Sequence, residues 1–402
     1  MKQIKTNLSL LTFVVATSIA SQSIADSKYG PGVTDTEIKI GNIVPYSGKA
    51  SAYGALGKAE AAYFQMINDR GGINGRKITF VSRDDGYNPA KTVEQARKLV
   101  EQDNVLLIFG SIGTAPNSAI QKYMNNNQVP QLFVASGATK WGSPKEYPWT
   151  MGFTPSYHSE AKVFVNHILA TNPDAKIGIL YQNDDYGKDY LQGVTSALGE
   201  KDSGMIVSLQ SYQMSDPTVD NQIFSLKADG VDTLITIATS KFATQTIKKL
   251  AELGWKPAHY LNSVGSSAKS VMVPAGGENG TGIISTSYLK DPADPQWANY
   301  SDVEVYNEWA KKYVPGISSA NTLVTSGYIY AQALVQVLTQ AGDNLTRDNI
   351  MKQAANLKDV QIDMMLPGIK VNTSSTDFFP VENSNLKVWN GDSWKVLANS
   401  TH

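Results

Sequence analysis

The residues best suited to chemistry in this chain stand in two short stretches. Thr114 precedes Pro116 where a β-branched run ending at Phe109 gives way to a helical pattern, and Ser136-Gly137-Ala138-Thr139 follows a second such run ending at Ala135. The first turn of a helix leaves its N–H groups without intrahelical partners, and proline fits there because it has no N–H to lose. The Thr114 hydroxyl and those N–H groups would therefore face an anion, and glycine at 137 would let backbone approach a ligand closely. Taken alone, Thr114 reads more readily as an ordinary N-cap and Ser136-Gly137 as an ordinary turn. Carriers of covalent chemistry are scarce. The chain has no cysteine and only four histidines, His158, His167, His259 and His402. Thiol catalysis is thereby excluded, and a histidine-rich metal centre is disfavoured. A Ser-His-Asp site stays formally open, but there is no G-x-S-x-G, H-E-x-x-H or EF-hand loop, and Gly57-Lys58 is followed by Ala59 where a phosphate loop needs Ser or Thr. The expectation is a binding protein, not an enzyme, with no metal and no cofactor.

Positioning such groups falls to a repeated alternation of strand and helix. Residues 38–44 read as a strand; Ala55, Leu56, Ala59, Tyr63, Met66 and Ile67 then share one helical face, and Gly71-Gly72 stops the helix. Strands at 77–82, 105–109 and 132–135 are separated by helices at 89–102 and 116–126. After a turn at 153–156 a second series begins, with strands at 176–181, 205–210, 233–238 and 283–286 between helices near 159–170, 187–198, 218–228 and 242–253. Alternation of this kind implies parallel strands joined by right-handed crossovers. Helices at 300–312, 320–338 and 347–357 follow, then a hairpin at 386–397 turning on Asn390-Gly391-Asp392. No low-complexity tether separates the two series, so several chain crossings are expected between them.

Composition limits the setting. Lys2 and Lys5, the apolar run 8–16 and Ser23-Ile24-Ala25 read as an export signal over residues 1–25, giving a mature start near Asp26. With no cysteine after the cut for lipid attachment and no further long apolar run, the expected product is freely diffusing in the periplasm of a Gram-negative bacterium. Removing residues 1–25, which hold two lysines and no acid, takes the net charge from −1 to −3. So small a charge gives no case for nucleic acid or an anionic membrane surface. The remaining length exceeds what one core usually organises, so two lobes are expected, stabilised by packing alone.

Five stretches carry a resemblance: IGNIVPYSGKASAYGALG (40–57), NDRGGING (68–75), FGSIGTAP (109–116), VPQLFVASGAT (129–139) and NDDYGKDY (183–190). Their order and spacing resemble the type I periplasmic solute-binding proteins of the branched-chain amino acid transport family, over residues 36–397. The resemblance implies an α/β, two-lobed periplasmic-binding-protein-like fold, each lobe a mainly parallel sheet flanked by helices. Lobe one would be 36–155 plus 287–368, and lobe two 156–286 plus 369–402. It further implies a monomer that closes on a small ligand and docks on the membrane permease of an ABC importer.

The resemblance also assigns roles. Thr114 and Ser136, Gly137, Ala138 and Thr139 match positions that grip a ligand carboxylate, Tyr53 an aromatic laid against the ligand, and Tyr186 a tyrosine closing from the other lobe. Tyr157 adjoins them, with Trp141 and His158 as weaker neighbours. Thr239 stands where relatives often carry an aromatic, and Val264 lies in the loop where amino-acid-binding relatives place an acid for the ligand ammonium. Here that loop reads Leu261-Asn262-Ser263-Val264-Gly265, with no carboxylate. A free α-amino acid is then disfavoured unless Asp184, Asp185 or an unaligned acid substitutes. Leu366-Pro367-Gly368-Ile369 and Asp377-Phe378-Phe379-Pro380 resemble the subgroup that takes up aromatic acids. The expected ligand is a small carboxylate with an apolar or aromatic body; the alternatives are an apolar amino acid or a ligand-sensing role. Lys58, Glu60, Asp185 and Lys188 read as exposed charges on the lobe tips.

Overall fold

The computed structural model describes residues 29–397, so the export signal expected over 1–25 lies outside the described residues. Five strands, β1 (Glu37–Val44), β2 (Lys77–Asp84), β3 (Leu107–Phe109), β4 (Gln131–Val134) and β5 (Thr150–Gly152), form an all-parallel sheet in the order β2-β1-β3-β4-β5. Helices α1 (Gly54–Asp69), α2 (Pro89–Arg97) and α3 (Thr114–Asn126) make its crossovers. A second sheet takes β6 (Ile177–Gln182), β7 (Ile206–Tyr212), β8 (Thr233–Ile237), β9 (Ala258–Leu261), β10 (Ile284–Ser287), β11 (Asn385–Trp389) and β12 (Trp394–Val396). Its order is β12-β11-β10-β9-β8-β6-β7, parallel from β7 to β10 and antiparallel across the terminal hairpin. Helices α4 (Tyr157–Thr171), α5 (Asp185–Leu198), α6 (Asp202–Met205), α7 (Asp220–Ala228) and α8 (Ser240–Glu252) belong to this series.

Two strands escape the periodicity. β5 is three residues long and ends in glycine, and β9 carries a buried His259 bonded to Thr236 Oγ1 at 2.9 Å, so neither shows a β-branched run.

Helices α9 (Ser301–Tyr313), α10 (Thr322–Ala341) and α11 (Arg347–Ala354) return to the first sheet. Trp309, Tyr328, Leu334 and Ile350 share a core with Ile40, Phe64 and Phe109. At the α1–α10 contact a Cβ on Gly327 would stand 2.6 Å from the Leu56 carbonyl oxygen, so only glycine allows that approach. The same face of α1 buries Glu60, which is therefore not the exposed tip charge expected. One of its oxygens accepts from Asn42 Nδ2 at 3.0 Å, the other has no partner among the described residues, and burial pushes the carboxyl well above its usual range.

The chain passes between the sheets near 153–156, 287–289 and 382–384, as the absence of a single tether suggested. The last crossing lies later than the expected 368/369 boundary. Val371, Phe378 and Val381 pack into the first core, and Val371 bridges Val360, so the tail reaches the second sheet only at Asn385. Apolar side chains at 371, 378 and 381 keep that stretch on the first lobe.

Candidate functional site

A cavity of about 140 Å³ lies between the two sheets. Its walls come from the loops beyond the carboxyl ends of β1, β3 and β4 on one side and β6, β8 and β9 on the other, the crevice that open parallel sheets leave. All three crossings also reach it, through Thr154 and Pro155, Ser287 to Leu289, and Ser384. Among the residues singled out from sequence, Tyr53, Thr114, Ser136, Gly137, Tyr157, Tyr186, Thr239 and Val264 line the cavity.

Ala138 and Thr139 do not, which corrects their assignment. The Ala138 N–H turns back to Ser136 Oγ at 3.3 Å, while Thr139 gives both its N–H and its hydroxyl to Asp189, at 3.1 and 3.2 Å. Trp141 and His158 also stay behind the wall, His158 facing Asp189 at 3.9 Å.

One corner gathers hydroxyl groups at a helix start. Gly113 at the start of α3 has φ +97°, and a Cβ there would meet the Tyr87 ring at 2.5 Å, so glycine is required. It sets the first turn of α3 against the cavity with Thr114 leading. Ser136 Oγ accepts from Trp141 Nε1 at 2.9 Å and from the Ala138 N–H, which fills both lone pairs of a hydroxyl oxygen. Its own proton can then go to Thr114 Oγ1, 2.7 Å away, or to the Tyr157 oxygen. The Thr114 proton can likewise be donated, to the Tyr157 oxygen that bonds this pair or to an incoming acceptor.

Aromatic rings from both lobes line the middle. Tyr157 lies edge-on to Tyr186, centroids 5.2 Å apart, and Tyr186 accepts from Asn262 Nδ2. Tyr87, in the left-handed region at φ +60°, adds a ring from the loop after β2. Tyr53 spans the lobes: its hydroxyl donates to Val264 O at 3.0 Å and accepts from Ser240 N at 3.1 Å. Lys49 makes a second tie, donating to Ser215 O at 2.6 Å. Thr239 contributes wall rather than donors, since its N–H goes to the Tyr212 hydroxyl and its own hydroxyl to Gln182 Oε1. Two cavity-lining hydroxyls, Ser240 and Ser384, are buried without a partner among the described residues. Orphaned groups of this kind are where a ligand or water bonds.

The wall formed by α4 and β11 carries charge that the sequence did not reveal. Glu160, in the first turn of α4, is 3 % exposed and lines the cavity. It accepts from Ser263 N (2.6 Å), Ser263 Oγ (2.9 Å) and Thr286 Oγ1 (2.8 Å), and burial raises its carboxyl above the usual value against those donors. It is an acid outside the 261–265 loop that packs against that loop from α4. Asp184 and Asp185 are not substitutes: the first caps α5 through the Tyr186 and Gly187 N–H groups, and the second pairs with Lys140 at 3.0 Å. Lys387 of β11 also lines this wall, 5 % exposed, its ammonium 3.0 Å from Ser266 Oγ and 4.4 Å from the Trp394 ring centroid. Burial lowers its pKa to about 8, with Asp291 and Glu160 opposing.

Sequence reasoning could have found Tyr87 and Glu160. Tyr87 follows a strand end, as Thr114 does, and Glu160 stands three residues after Tyr157 on the same helix face. Lys387 had no such signal, because a lysine in a terminal hairpin reads as solvent-facing. Hydroxyls, aromatic rings and one buried charge of each sign suit the cavity to holding a small polar-ended molecule.

Comparison with known proteins agrees. A family model described as periplasmic binding protein matches residues 37–392. Leu/Ile/Val-binding protein homolog 7 of Brucella suis biovar 1 is 24 % identical over 333 residues, covering 79 % of this chain and 81 % of that protein. Among solved structures, a branched chain amino acid ABC transporter protein from Thermus thermophilus with bound valine has a TM-score of 0.82 at 16 % identity, covering 91 % of this chain and 96 % of that one. A fatty acid ABC transporter substrate-binding protein from Thermomonospora curvata has a TM-score of 0.78 at 20 % identity, covering 92 % and 95 %. At these identities the structural likeness speaks for the fold, and among the described residues no helix is long and apolar enough to cross a membrane. With a two-sheet fold, a cavity between the sheets and a family match over nearly its whole described length, the chain belongs to the periplasmic binding protein family, a family of substrate-binding proteins.

Proposed function

We propose that this protein captures a small carboxylate with an apolar or aromatic body in the periplasm, closes its lobes over it, and delivers it as a monomer to the membrane permease of an ABC importer. One observation carries the reading: the Thr114–Ser136 hydroxyl pair, 2.7 Å apart, which stands beside the first turn of α3 where Thr114 can donate to a ligand. A carboxylate placed there would gain a charge-assisted bond and the unpaired N–H groups of that turn. Tyr53, Tyr87, Tyr157 and Tyr186 would hold the apolar body. The relatives bracket the chemistry, one neighbour being described with bound valine and another as a fatty acid carrier. Transport rests on the relatives alone.

An apolar amino acid is the second reading, favoured by the Glu160 carboxylate in the cavity wall. A thermal-shift screen of the mature protein against aromatic acids, aliphatic acids and apolar amino acids separates the two. A ligand at 100 times its Kd adds about 2.7 kcal/mol of stability, enough to read as a shift in Tm. Stabilisation by the acids and not by leucine or phenylalanine is expected; stabilisation by the amino acids alone would refute the carboxylate reading.

A further inference from the structure

Glu160 and Lys387 come from elements far apart in the chain, the first turn of α4 and the penultimate strand, yet both face the same end of the cavity. A continuous hydrogen-bonded path joins them. The Lys387 ammonium donates to Ser266 Oγ at 3.0 Å, Ser266 Oγ donates to Ser263 O at 2.9 Å, and Ser263 gives its N–H and its hydroxyl to the two Glu160 oxygens. Among the described residues neither group forms a direct ion pair; Lys387 lies in the field of Asp291 first and of Glu160 next, and Glu160 in the field of Lys387. A carboxylate withdrawn from water needs a cation or it neutralises. In a binding site that cation can come from the ligand or from the protein.

We infer that the Lys387 ammonium is the protein's own cationic partner for Glu160, and that it makes Lys387 a specificity residue selecting, at this end of the cavity, for ligands without an amine. The inference rests on the carboxylate reading proposed above and adds the residue that enforces it. A ligand ammonium brought up to Glu160 would meet a second ammonium in a water-poor cavity, where like charges repel strongly. A ligand ending in a ring, an alkyl group or a hydroxyl meets no such opposition. Trp394 under Lys387 and the Ser266 hydroxyl both hold the ammonium where it lies. Placement on β11 also gives a function to the late crossing of the tail: the strand that closes the second sheet delivers the cation.

The test uses matched pairs differing only in the α-amine, 3-phenylpropanoate with phenylalanine and 4-methylpentanoate with leucine. Each is titrated calorimetrically into the wild type, Lys387→Met and Lys387→Arg. The wild type should prefer the amine-free member of each pair, Lys387→Arg should keep that preference, and Lys387→Met should shrink it by at least about tenfold, chiefly by binding the amino acid more tightly. Unchanged discrimination in a folded Lys387→Met would overturn the role of Lys387 while leaving the carboxylate reading in place. A wild type that binds neither amine-free acid, or prefers the amino acids, would remove the carboxylate reading itself. Should circular dichroism show Lys387→Met unfolded, Glu160→Gln decides. With Lys387 freed of that carboxylate, a dicarboxylate such as 3-(4-carboxyphenyl)propanoate should gain at least about tenfold over 3-phenylpropanoate, and an unchanged ratio would overturn the inference.

Discussion

Replacing Tyr53 by Phe removes one oxygen atom and isolates what holds the lobes together. That hydroxyl makes two bonds across the cleft, to Val264 O and from Ser240 N, and the residue is 6 % exposed. With the lobes apart, all three groups bond water, so the two bonds belong to the closed form alone. A buried hydrogen bond contributes a net 0.5 to 1.5 kcal/mol, so the pair is worth about 1 to 3 kcal/mol of closure. That corresponds to about fivefold to a hundred-and-fiftyfold in the closing equilibrium. Because an observed Kd is the intrinsic one divided by the closure-competent fraction, the loss should appear as one common factor for every ligand, whatever its chemistry. Calorimetry on several ligands from the screen measures the factor, and stopped-flow should place it in the off-rate. If Tyr53→Phe weakened one ligand and spared another, the hydroxyl would be contacting ligand rather than closing the lobes. Equal affinities throughout would show that these bonds do not favour closure at all.

Two further perturbations separate ligand chemistry from fold chemistry. Thr114→Ala removes a hydroxyl placed to donate to the ligand, and should weaken carboxylate binding by about tenfold to a hundredfold, with a loss of ligand-free stability of about 1 to 3 kcal/mol because the buried Ser136 hydroxyl loses that partner. Wild-type affinity in that variant, read by calorimetry, would remove the proposed oxyanion corner. Glu60→Gln tests the buried acid beneath the first sheet. Its folded pKa lies above its unfolded one, so its contribution to stability is complete below the unfolded value near pH 4.3 and declines as pH rises toward the folded value. The wild type should therefore lose stability relative to Glu60→Gln by up to about 1.4 kcal/mol per pH unit across that window, measured by urea unfolding. A difference that stays flat from pH 5 to pH 7 would mean Glu60 is ionised in the fold.

What the sequence disclosed follows from what is local in it. Strand-helix alternation depends on near neighbours, so β1, β3, β6 and β8 could be read, and with them the loops that carry Tyr53, Thr114, Ser136 and Tyr186 into one crevice. The direction of an individual N–H is not local. Ala138 and Thr139 follow Ser136 directly, yet one bonds back to Ser136 and the other to Asp189 of a different lobe's helix, and no spacing rule shows that. Charges were the least legible. Glu60 has the sequence surroundings of a surface residue, but its burial depends on α10, more than two hundred and fifty residues away, having glycine at 327. Glu160 was hidden because the acid was sought in the 261–265 loop, whereas that loop supplies the donors and α4 supplies the carboxylate. Its cation arrives from still farther along the chain, on β11. Position in an aligned loop records where relatives keep a charge, while the ligand meets the charges that sheet order brings together. In this chain the fold brings a charge of each sign, Glu160 from α4 and Lys387 from β11, to the lining of one cavity, although the 261–265 loop itself holds no acid.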